Sequence, residues 1–91
     1  MNKNECKKYL KRAFHSLKKQ KKSINPINLE KEMKNKINKD SELYIAYCKM
    51  ALYTLLKSAT DVTLSELEKE LDIMPEIYST NEVLINAKKL T

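Results

Sequence analysis

Apolar residues crowd into one stretch of the chain. From Leu43 to Leu56 the sequence reads LYIAYCKMALYTLL, and twelve of those fourteen positions are apolar or aromatic; Lys49 and Thr54 are the others. A helix that is apolar nearly all round has to be enclosed by other elements. The pattern predicts a central helix over about 41–59, capped by Asp40 or Ser41. Tyr44, Tyr47 and Tyr53 give this helix polar tips. They read either as core or as a self-association face of a homodimer, and at least one of them is expected to be well exposed.

The segments on either side are amphipathic. Over 4–20, Cys6, Tyr9, Leu10, Ala13, Phe14 and Leu17 recur at helical spacing, with Asn4 as a candidate cap. The opposite side carries Lys7, Lys8, Lys11, Arg12, Lys18 and Lys19, with His15 among them, and Lys21 and Lys22 follow. This helix is expected to pack on the central one through Phe14 and Leu17. Ser23 to Asn28 reads as a connection. Pro26 opens a second helix with Asn25 as its cap, or Asn28 caps it. Its apolar stripe is narrow, consisting of Leu29, Met33 and Ile37, with Glu30–Lys34 and Glu32–Lys36 pairs at i,i+4.

After a turn at 60–62, Thr63 and Glu66 fit a capping box, and Leu64, Leu67 and Leu71 form a ridge. Asp72-Ile73-Met74-Pro75 is expected to end that helix. The last helix begins either at Pro75 or near Thr80, where Ser79 and Glu82 form a second capping box. Tyr78, Leu84, Ile85 and Leu90 are expected to face inward. The fold class that follows is all-α: a single domain over 1–91, a small bundle of four or five helices around the central one. The complete absence of glycine among 91 residues, with eight Asn left to make turns, speaks against an all-β chain.

Charge divides the chain in two. Residues 1–39 hold 13 Lys+Arg against 3 Asp+Glu, a net of +10, and residues 40–91 hold 5 against 9, a net of −4, which together give the formal +6. Such asymmetry points to an anionic partner for the first half, or to a merely solvated lysine surface. The candidate nucleic-acid-binding residues are Lys7, Lys8, Lys11, Arg12, Lys18, Lys19, Lys21 and Lys22. With a single arginine among them, they suit phosphate better than base edges.

Catalytic chemistry finds little footing. Without glycine there is no phosphate-cradling loop, and one His gives no His-pair metal site. The carboxylates Glu66, Glu68, Glu70 and Asp72 read as a solvated acidic face. No catalytic residue, metal or cofactor is expected, and the chain is read as non-enzymatic. Cys6 and Cys48 fall on apolar helix positions and read as buried free thiols. The first twelve residues are too polar for a secretory leader, and 43–56 is too short to span a bilayer, so a cytoplasmic protein is expected.

One segment resembles a known family. Thr63 to Leu84, TLSELEKELDIMPEIYSTNEVL, resembles the helix-turn-helix of bacterial DNA-binding regulators through Thr63, Leu64, Leu67, Leu71, Ile73, Pro75 and Glu76. The resemblance implies a short helix opened by Thr63, a turn at 72–74, and a recognition helix opening at Pro75-Glu76 that enters the major groove. The chain departs from the family at Glu68, where a small residue is usual, and at Asp72, where Gly is usual. A transcription-regulating, DNA-binding role is what this resemblance implies. In size, lysine content and helix order the chain is also similar to bacteriocin immunity proteins and to small helical inhibitors carried by phages and plasmids. That likeness implies a module that binds a protein partner; the charge asymmetry separately admits nucleic acid, a membrane surface or an acidic protein as the partner of the basic half.

Overall fold

The structure is a computed structural model and describes residues 3–36 and 42–90. Five helices follow one another: α1 (Lys3–Lys19), α2 (Pro26–Lys36), α3 (Glu42–Leu56), α4 (Leu64–Ile77) and α5 (Thr80–Lys88). Among the described residues there is no strand. The all-α bundle around a central helix is what the apolar pattern requires.

α3 is that centre. It contacts all four other helices, and its eight consecutive residues Ile45 to Leu52 are all buried. Burial on every face explains why its composition is so uniform. It stops at Leu56, three residues before the expected end, in a turn closed by Lys57 and Ser58 N–H groups donating to Thr54 and Leu55 carbonyls. The expected caps Asp40 and Ser41, and the apolar Ile37, lie outside the described residues.

α1 buries Cys6, Leu10, Ala13, Phe14 and Leu17. It packs chiefly on α2, and more lightly on α3 and α4. Asn4 lies inside this helix and does not cap it, because Lys3 is already helical. Its far end is a Schellman closure: Lys22 N–H donates to Leu17 O and Lys21 N–H to Lys18 O, each at 3.0 Å. The closure needs a left-handed residue, and without glycine that position falls to Lys21 at φ 58°.

Asn25 caps α2, its Oδ1 accepting from Asn28 N at 2.8 Å, with Pro26 at the first helical position. The narrow stripe of α2 is buried as Leu29 and Met33. At α4, Thr63 and Glu66 complete their capping box, and Ser79 and Glu82 repeat it for α5. Each box is preceded by an apolar residue and followed by one at the fourth helical position: Val62 and Leu67, then Tyr78 and Val83. That is the spacing of a hydrophobic staple, which fixes the angle at which the chain enters each helix.

One expected boundary is corrected. α4 does not end at 72–75 but runs through Pro75 to Ile77. The proline removes one backbone N–H donor and crowds the carbonyl four residues back, and α4 carries that cost in its last turn. Continuing the helix also keeps Met74 buried on the ridge of Leu67 and Leu71, and lets Tyr78 N donate to Met74 O at 2.9 Å. The chain turns instead at Tyr78 and Ser79, so the last helix begins at Thr80 and not at Pro75. A second correction concerns Ile85, which faces outward at 56% exposure, while Tyr78, Leu84 and Leu90 pack partly against the core.

Candidate functional site

The basic residues of α1 are sorted by the helical period. Lys8, Lys11, Arg12, His15, Lys18 and Lys19 recur at steps of three and four, so they share the face opposite the buried stripe. All six are exposed, as are Lys21 and Lys22 where the chain leaves the helix. None of these eight forms an ion pair with another described residue. Two are steadied by neighbouring rings: the Arg12 guanidinium lies 5.8 Å from the Tyr9 ring centroid and the Lys18 ammonium 5.0 Å from that of Phe14. From Lys8 to Lys19 the row spans eleven residue steps, or about 16 Å along the axis.

Lys7 does not belong to this row. It is half-buried on the flank of α1, with Nζ at 2.8 Å from Asp72 Oδ1 and 3.0 Å from Oδ2. That ion pair joins α1 to α4 and engages the Asp that was expected in a turn.

The α4–α5 pair has a different surface. Glu66 and Glu76 are exposed, and Glu68 and Glu70 are half-buried. The Glu66 carboxyl is held below its ordinary value by the Thr63 backbone N–H and, less, by the Thr63 hydroxyl, against a small opposing burial. Ile73, Ile77 and Ile85 stand exposed on these two helices. With residues 72–75 inside α4, there is no turn where a helix-turn-helix would have one, and the two helices join at Tyr78-Ser79.

The three tyrosines of α3 do not share a fate. Tyr47 is buried in the core, Tyr44 is half-buried against it, and Tyr53 is exposed at 37% with the Lys57 ammonium 4.6 Å from its ring. Tyr47 therefore offers no surface to a second copy.

Two constellations escaped the sequence reading. Lys49 is 1% exposed, and its Nζ donates to Glu30 Oε2 at 2.8 Å and to Ala87 O at 3.0 Å. One ammonium thus ties α2, α3 and the last turn of α5, whose carbonyls carry the negative end of the helix dipole. The signal was available: a lone charge inside an enclosed helix must find a partner. The second constellation is a pair of thiols. Cys6 and Cys48 are both fully buried, and their sulfurs lie 3.6 Å apart. Cys6 Sγ is also 4.0 Å from Tyr44 O. The hydrogen bond from Cys48 lowers the Cys6 pKa, burial opposes this, and the charge of Lys7 helps. Cys48 is pushed well up by the hydrogen bond to Cys6 and by burial.

Among the described residues, no three His, Cys, Asp or Glu side chains gather as metal ligands, and no helix is long and apolar enough to cross a membrane. No family model, curated protein or solved structure matches the chain.

Proposed function

We propose that the chain is a small non-enzymatic protein that binds the phosphate backbone of nucleic acid through the outer face of α1. One observation carries the reading: Lys8, Lys11, Arg12, Lys18 and Lys19 line one exposed helix face with no ion-pair partner among the described residues. Duplex DNA carries about one negative charge per 1.7 Å of axis, so a row about 16 Å long meets several phosphates at once. Lysine ammonium groups satisfy phosphates as point charges, and only Arg12 has the fork that reads guanine, so affinity comes with little sequence preference.

This reading needs nothing from α4 and α5. Their exposed carboxylates repel phosphate, and Lys88 and Lys89 are the only cations of the α5 end. The test is a titration of duplex DNA against the protein at several salt concentrations. Binding at low salt that weakens steeply as salt rises supports the reading, and no binding at low salt ends it.

A second reading has its own observation. Ile73 at 41%, Ile77 at 55% and Ile85 at 56% exposure put large apolar side chains on the acidic α4–α5 surface. Such residues suit a protein partner better than DNA, as in an immunity-type or inhibitor module. Charge changes on α1 that leave partner binding intact, together with Ile77→Glu abolishing it, would favour this second reading.

A further inference from the structure

We propose that Cys6 and Cys48 are an intramolecular redox pair, which hydrogen peroxide converts to a disulfide joining α1 to α3. This does not rest on the nucleic-acid reading. The two sulfurs are 3.6 Å apart, on two different helices, and each is the other's hydrogen-bond partner. A disulfide needs about 2.05 Å between sulfurs, so roughly 1.5 Å of closure, shared between two side chains, completes the bond. The chain has two cysteines, so the bond has one possible intramolecular connectivity.

The two thiols are not equivalent, and the difference assigns their roles. The Cys48 hydrogen bond and, less, the charge of Lys7 favour a thiolate at Cys6 against its burial, and Cys6 lies in the first turn of α1, at the positive end of the helix dipole. Cys48 lies in the middle of α3 and is enclosed on all sides. Cys6 is therefore the attacking thiolate and Cys48 the resolving thiol. The Cys6 sulfur attacks one peroxide oxygen, the O–O bond breaks, and Cys6 becomes a sulfenic acid while hydroxide leaves and takes a proton to become water. Cys48 then loses its proton and attacks the Cys6 sulfur, the S–O bond breaks, and a second water departs. Two thiols are oxidised by two electrons, and one peroxide is reduced to two waters. Both sulfurs are buried, so the peroxide enters when the first turn of α1 opens; Cys6 is three residues from the helix start.

The experiment uses the full chain, reduced and then exposed to hydrogen peroxide. The products are denatured, alkylated and weighed intact. The expected product is a monomer lighter than the reduced chain by two hydrogens, with both thiols protected from alkylation together and both restored by dithiothreitol. Closing a loop of this length is expected to raise Tm by roughly 10 °C or more. In Cys48→Ser the same treatment should leave a sulfenic acid on Cys6 that dimedone traps, and Cys6→Ser should lose thiol at least about tenfold more slowly. Full alkylation of both cysteines after glutathione in the same tube has been oxidised would overturn the proposal. So would a sulfinic acid on either sulfur in place of the cross-link, or disulfide-linked dimers as the main product. The wild-type mass alone decides these outcomes, so a variant that fails to fold does not protect the idea.

Discussion

Substituting the two halves of the Lys49–Glu30 pair by the same apolar residue should have very unequal effects. In Lys49→Met the buried ammonium disappears. Glu30 is left behind, but its side chain is 20% exposed and Lys34 Nζ stands 3.8 Å away, so its charge is rehydrated and still accompanied. Ala87 O also keeps an acceptor role, from Leu90 N at 3.2 Å. The cost is then the loss of charge-assisted hydrogen bonds, partly offset by an apolar side chain in an apolar place, about 1–2 kcal/mol. In Glu30→Met the ammonium stays, 2% exposed in its side chain, with one carbonyl at 3.0 Å and no counter-charge. Breaking a buried pair so that one charge is stranded costs about 3–5 kcal/mol. The double substitution removes both charges and should recover most of that loss, since buried pairs can be replaced by apolar groups at little net cost. Urea unfolding followed by far-UV circular dichroism measures all three. For a domain of this size a gap of about 2–3 kcal/mol separates the single variants by roughly 10–20 °C in Tm. Should Lys49→Met prove as destabilising as Glu30→Met, or the double variant worse than either, the argument from stranded charge is wrong. Lys49 would then matter through its packing.

Three further outcomes are expected. Lys21→Gly should stabilise the chain by up to about 1 kcal/mol in urea unfolding, because it relieves a non-glycine residue of the left-handed conformation that closes α1; a loss of stability would mean that the Lys21 side chain has contacts of its own. Thr63→Ala and Ser79→Ala should each cost about 1 kcal/mol, since each removes the side-chain acceptor of a capping box. The Glu66 carboxyl is held below the ordinary 4.5, so its share of the α4 cap is complete above that pH and fades as pH falls through the lower folded value; in Thr63→Ala this acid-range loss should shrink. Asp72→Asn should cost at most about 1 kcal/mol in the same assay, because the Lys7–Asp72 pair is 28% and 42% exposed in its two side chains and water screens it.

What the sequence made legible were features with a local cause. The enclosed α3, the sorted faces of α1, the Asn25-Pro26 start and both capping boxes follow from residues within a turn or two of one another. What it concealed were meetings between distant residues. Glu30 reads as the i,i+4 partner of Lys34, yet its short contact is with Lys49 on another helix. Lys7 reads as one more cation of the α1 face, and Asp72, 65 residues away, removes it from that row. Cys6 and Cys48 read as two separate buried thiols because no spacing rule connects positions 42 apart. Pro75 misled differently. It reads as a stop, but α4 bears the lost N–H and the ring clash two residues before its end, where continuing the helix keeps Met74 buried. The turn expected by analogy with a recognition helix moved with it, and the basic face of α1 remains the feature on which a nucleic-acid reading stands.

That face can be tested by one measurement: fluorescence anisotropy of a labelled duplex titrated with the full chain across a series of salt concentrations. With five exposed lysine and arginine cations in the row, the logarithm of the association constant should fall with the logarithm of salt at a slope of about −4.5. In the variant Lys8→Gln/Lys11→Gln/Lys18→Gln/Lys19→Gln, folded by circular dichroism, the slope should shrink to about −1, with binding weakened alike on unrelated duplex sequences. A wild-type chain that leaves the duplex unbound at low salt, or a variant that keeps the full slope, would contradict the assignment of α1 as the phosphate-binding face.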